Sequence, residues 1–265
     1  MTGALLLAGF SAQAQVAGSQ HDLTSAGSPQ GGGTSATDQV CIFCHTPHGG
    51  DTDAPVPLWN KSLPAPGAYT RYSSIATPSF DSAEAPVGSV SLACLSCHDG
   101  VQAMDVVLNK PGSGGYVAGG EEFDTTTLGP MTGDPVPALG TDLSNDHPIS
   151  MQYAGGGAVA GDADDAQTPI AQLGDQDFNA PFKTTINIEP IWWVDSAVGA
   201  AGVREKTDML LYTRNEAGVA GGVQPFVECG SCHDPHNSST QGPGSVAFLR
   251  IENTASQVCT ACHTK

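Results

Sequence analysis

The chain has 265 residues, of which 33 are glycine and 19 proline, with only 39% hydrophobic and 6% aromatic. That is thin material for an aliphatic core of this length, and it predicts a backbone rich in turns. A formal charge of −18 excludes a nucleic-acid binder and disfavours an anionic membrane surface, while favouring cationic partners, metal ions included.

In chain order, residues 1–14 read as the remnant of a signal peptide. A short apolar run, Ala4 to Phe10, precedes Ala12-Gln13-Ala14, a small-x-small cleavage site that would leave Gln15 first. The run is too short to span a bilayer, and no later segment is long enough. Helices are expected to be short. Ser89 to Cys97 suits one, and Asn253 to Cys259 suits another with a polar N-cap. Residues 111–185, rich in Gly, Asp and Pro, read mostly as loop. Asn187 to Trp193 and Met209 to Tyr212 are candidate strands. Trp192 and Trp193 are expected to pack against other parts of the chain and not to bind a substrate. The acidic run Asp162, Asp164, Asp165 has the oxygen chemistry for calcium but no EF-hand spacing, so a solvated loop is the preferred reading.

The eight cysteines decide the class. All fall in four copies of Cys-x-x-Cys-His: Cys41, Cys44 and His45; Cys94, Cys97 and His98; Cys229, Cys232 and His233; Cys259, Cys262 and His263. This is the attachment signature of c-type haem. Two thiols bond to the two vinyl groups, and the adjacent histidine binds the iron as proximal ligand. Disulfides do not need a histidine after every second cysteine, and a zinc ribbon has no reason to repeat Cys-His four times. A thioredoxin-like role lacks its βαβ context. We number the motifs I to IV in chain order.

Four further histidines remain, His21, His48, His147 and His236, one for each open axial position. Four spares for four vacancies predict bis-histidine iron throughout; methionine is the less favoured alternative. Motifs I and III share a trailing Pro-His, giving His48 and His236, whereas II and IV lack it, so the order suggests duplication of a two-haem unit. His48 is three residues beyond His45, too short a tether to round the macrocycle, so it should serve a neighbouring haem; the same holds for His236. If the haems run I to IV in space, two solutions follow. In one, His48 serves II and His236 serves IV within one chain. In the other, His236 serves II, His48 serves IV of the next subunit, and His21 and His147 complete I and III. The second makes a head-to-tail contact that does not close, which generates filaments.

Several stretches resemble the filament-forming tetrahaem extracellular cytochromes of the OmcE kind. They are His21 to Thr24, Cys41 to His48, Pro57 to Asn60, Cys94 to Gly100, Asn145 to Ser150, Val227 to His236 and Phe248 to Arg250. The resemblance implies a mostly coil fold around a continuous haem stack with alternating parallel and T-shaped contacts. It implies a histidine passed from one subunit to the next, with His48 favoured and His21 second.

The expected fold is therefore mostly irregular coil with short helices and few short strands, wrapped around a stack of four covalently bound c-type haems. Residues 15–265 form a single domain, with one haem pair in 15–110, a Gly-rich linker region in 111–228 carrying a distal histidine, and the second pair in 229–265. The cofactors are four haem c, with iron. The expected role is long-range electron transfer, not catalysis, by a secreted, extracellular homopolymer that exchanges electrons with other cytochromes or extracellular acceptors. The alternatives are a monomeric periplasmic shuttle, a subunit of a redox complex, or a multihaem reductase with one open iron.

Overall fold

The computed structural model describes residues 16–24, 37–75, 81–112, 116–122, 128–131, 137–237 and 248–265. The signal-peptide reading of 1–14 lies outside these. Most of the described backbone is turn and coil, as the glycine and proline content requires. Among the described residues no helix is long and apolar enough to cross a membrane.

Three short α-helices carry motifs: α1, Ser89–His98; α2, Cys229–Cys232; α3, Gln257–Cys262. Motif I instead starts in a 3-10 turn, Val40–Phe43. The polar N-cap expected of Asn253 is not made: a 3-10 turn, Thr254–Ser256, intervenes, and neither Asn253 nor Ser256 caps through its side chain.

The largest regular element is a six-stranded antiparallel sheet. Its strands are β3, Met151–Gln152; β4, Ala166–Gln167; β5, Phe182–Ile186; β6, Glu189–Val194; β7, Met209–Asn215; and β8, Val223–Val227, in the order β3-β8-β7-β6-β5-β4. A separate small pair joins β1, Val106–Val107, to β2, Glu121–Glu122. Both candidate strands from the sequence are thus strands, β6 and β7. The region read as a linker, 111–228, contains the whole six-stranded sheet. Its outer pairings are non-local, Met151 with Val227 and Gln152 with Phe226, so no hairpin signal betrays them.

Trp192 and Trp193 pack within this sheet. Trp192 is fully buried among Val194, Met209 and Leu211, and Trp193 stacks on its cross-strand partner Phe182 at 5.7 Å. Gly157 explains part of the glycine cost: a Cβ there would lie 1.9 Å from the Gln172 carbonyl oxygen. The apolar cluster on the sheet continues through Ile251 and Ala261 to Cys232 and Cys262, so the sheet is the platform for motifs III and IV. A second cluster, Tyr69, Val87, Leu92, Leu95 and Leu143, backs α1 and motif II.

Candidate haem-attachment site

One helical turn builds each motif. The histidine N–H donates to the carbonyl of the first cysteine: His45 to Cys41 at 2.8 Å, His233 to Cys229 at 3.0 Å, His263 to Cys259 at 2.9 Å. Residues i, i+3 and i+4 of a turn share a face, so both thiols and the imidazole are presented together. Motif II obtains the same turn from α1.

Beyond the histidine, motifs I, III and IV are clamped by a two-bond rung to a distant segment. Thr46 N–H donates to Leu58 O and Asn60 N–H to Cys44 O, both at 2.9 Å. Asp234 donates to Phe248 and Arg250 to Cys232, both at 2.8 Å. Thr264 donates to Asp177 and Asn179 to Cys262, again both at 2.8 Å. Two of the clamps also carry an asparagine: Asn60 Nδ2 donates to Ile42 O at 2.7 Å, and Asn179 Nδ2 to Thr260 O at 3.0 Å. Leu58 and Phe248 occupy matching positions, and both have positive φ, 55° and 63°. The repeat is invisible in sequence because the clamping segment follows motifs I and III but precedes motif IV.

No disulfide joins any of the eight cysteines. Burial, and then the neighbouring Cys97, pushes the Cys44 thiol up to about 12. Contact with Cys229, then burial, raises Cys94. Burial pushes Cys232 to about 11, and burial followed by proximity of Cys232 pushes Cys262 to about 12. These raised thiols are not activated nucleophiles, whereas the bond with Cys94 lowers Cys229, and no group of three metal-binding side chains occurs among the described residues. These influences also order the motifs in space: I lies near II through Cys44 and Cys97, II touches III through Cys94 and Cys229, and III lies near IV through Cys232 and Cys262.

Three spare histidines face motif histidines of other segments. Ring centres are 6.1 Å apart for His21 and His98, 6.1 Å for His45 and His236, and 6.5 Å for His147 and His263. A metal ion between two imidazoles, at about 2.0–2.1 Å from each nitrogen, sets ring centres roughly 6.3 Å apart. The rings also face the right way. His45 Nδ1 lies 2.8 Å from Pro57 O, His98 Nδ1 2.8 Å from Pro137 O, and His147 Nδ1 3.1 Å from Pro148 O. His21 bonds to the Pro235 carbonyl. With Nδ1 engaged by a carbonyl, Nε2 is left with its lone pair for a metal. Burial, then the nearby His98, lowers His21 to about 4, and burial lowers His263, so both rings are held neutral. Asp234, held at about 2 chiefly by its bond to His236, braces that imidazole. The residues therefore fit haem c.

These neighbours differ from both arrangements drawn from spacing: His236 faces His45 of motif I, and His21 faces His98 of motif II. The reason is that the chain returns. Pro235 accepts from His21 while His236 reaches motif I, so one dipeptide spans two motifs. His48 is exposed, and among the described residues its ring meets no other ring.

Sequence reasoning missed Trp59 as a neighbour of the motif I histidine; the Trp59 and His45 ring centres are 5.9 Å apart, edge to face. Phe248 stacks on His21 at 4.1 Å and Phe178 meets His263 at 4.4 Å. It missed the four proline carbonyls too, for which the high proline count was the sole hint. It also missed the joint between motifs II and III. There, buried Glu228 accepts from Ser91 at 2.6 Å, Ser150 at 3.1 Å and Arg214 at 2.8 Å. The acidic run considered for calcium is closed instead by Lys183, which donates to Asp164 Oδ1 and Asp162 O at 2.7 Å each.

Residues 222–265 match the family model of the doubled CXXCH motif. With the four motifs, this match supports a multihaem c-type cytochrome that carries covalent haem and iron. No curated protein matches the chain.

Proposed function

We propose that the chain is a tetrahaem electron-transfer protein, all of whose irons are bis-histidine, assembled head to tail into an extracellular filament. The three cross-motif imidazole pairs carry the reading. They favour His236 as distal partner of His45, His21 of His98 and His147 of His263. His48, exposed and outside these pairs, is the ligand offered to a neighbouring copy. Haem c held between two imidazoles supplies one-electron chemistry without ligand exchange.

The chain's own residues do the rest. The clamps fix both thiols and the imidazole of motifs I, III and IV, and the carbonyl acceptors lock the tautomers. The proximity of thiols from consecutive motifs suits a continuous conductor. The charge of −18 suits basic electron donors and acceptors, which would be steered to the surface. Secretion follows from the reading of residues 1–14.

Cryo-electron microscopy of the purified red protein tests this. Unbranched filaments with His48 crossing the interface are expected. Isolated particles with every distal ligand supplied in cis would leave a monomeric shuttle instead. A ferric spectrum dominated by high-spin, ligand-exchangeable iron would remove the electron-carrier reading in favour of an enzyme.

A further inference from the structure

The clamps of motifs I, III and IV end on equivalent positions, Lys61, Ile251 and Ala180, each one residue beyond the clamping N–H. All three are buried, at 0%, 4% and 5% exposure. Two are apolar, and only motif I has a charge there. Lys61 Nζ donates to Ala103 O at 3.2 Å, Met104 O at 3.1 Å and Val106 O at 2.7 Å. Three acceptors take three N–H groups, so the nitrogen is an ammonium.

This charge is not cancelled in the way its peers are. Lys183 pairs with Asp164 at 2.7 Å, and Arg214 pairs with Glu228 at 2.8 Å and with Glu216 at 2.6 Å. Among the described residues Lys61 forms no ion pair. Asp105, fully buried on the same loop, does not pair with it either. With all three protons committed to neutral carbonyls, Lys61 has none left for a haem propionate. Buried Arg250 differs, since its Nε and Nη1 bond to Gly230 O and Lys206 O and further N–H groups remain. The Asn60–Cys44 backbone bond anchors the Lys61 position to motif I, and the Lys61 charge acts on the Cys44 thiol.

We propose that Lys61 is a potential-setting residue, raising the reduction potential of the haem at motif I above that at motif II. The proposal rests on the haem reading above. One-electron reduction removes a unit of positive charge from the iron, and an adjacent buried cation in a medium of low dielectric favours that change. No bond forms or breaks; the electron comes from the external reductant.

The test is a spectroelectrochemical titration of the full-length holoprotein, with dithionite as reductant. Lys61→Ile copies Ile251 of the sister clamp, and Lys61→Arg keeps the charge. One of four components should move to lower potential in Lys61→Ile and stay in place in Lys61→Arg. Four unmoved components in a Lys61→Ile protein that retains four haems would overturn the proposal. A wild-type haem count below four would instead overturn the reading beneath it. Should Lys61→Ile not mature, site-resolved NMR of the wild type decides. The haem whose axial imidazole contacts Trp59 should reduce before the one whose axial imidazole contacts Phe248, and the reverse order refutes the proposal.

Discussion

His236 stands 6.1 Å from His45, ring centre to ring centre, with the two planes 21° apart. The contact joins the third motif to the first and passes over the second. His236→Ala should therefore open one iron to carbon monoxide, and that iron should belong to motif I. In a Cys41→Ala/Cys44→Ala background the same change should open no further site. A second CO-reactive haem in that background would assign His236 elsewhere.

His48→Ala should leave three of four haems low-spin and abolish filaments while keeping the chain folded, because His48 is exposed. Electron paramagnetic resonance and negative-stain images read the two effects separately. Filaments of normal length from this variant would contradict a bridging role.

Phe248 is 5% exposed and lies nearly parallel to the His21 ring, 7° apart. Phe248→Ala should cost about 3 kcal/mol by cavity formation and should loosen His21. Chemical denaturation gives the first effect, and a rise in CO binding at motif II gives the second.

Asn179 donates to Thr260 O at 3.0 Å and Ala261 O at 2.9 Å, which are carbonyls inside the turn of motif IV. Asn179→Ala removes both bonds and leaves the part-buried Ala261 carbonyl without its partner, at a cost of about 1 kcal/mol. Limited proteolysis should then cut first near residues 257–265; unchanged protection of that segment would argue against the clamp.

Glu228 is a buried acid whose carboxyl is raised above its ordinary 4.5 by desolvation, offset in part by Ser91 and Arg214. Between 4.5 and the raised value the folded chain keeps a proton that the unfolded chain has lost. The contribution of this group to stability therefore falls as pH rises through that window. Glu228→Gln should flatten that part of a denaturation–pH profile, whatever it costs at the Arg214 contact. A profile unchanged in slope would show that Glu228 does not titrate there.

The attachment chemistry was legible because it is local: five residues hold two thiols and a ligand on one turn. The spare histidines were legible as a count, yet their partners were not, since Pro235 and His236 return over motifs I and II from the far end of the chain. The helix at Ser89 and the strands at Glu189 and Met209 followed from local pattern. The sheet they join did not, because β3 pairs with β8 across a long loop-like stretch whose glycines serve close approach, as at Gly157. Lys61 gave no signal, since a lone lysine in sequence reads as surface, and only its three carbonyl partners place it inside.

The reach of Pro235 and His236 back to the first two motifs bears on biogenesis. A chain emerging from a translocon exposes motifs I and II long before residue 236. Under the proposed ligation, the first haem to be attached waits five-coordinate until almost the last segment arrives. Maturation then cannot proceed as two independent halves, and a nonsense mutation after the second motif would yield a reactive, half-ligated fragment in place of a smaller cytochrome.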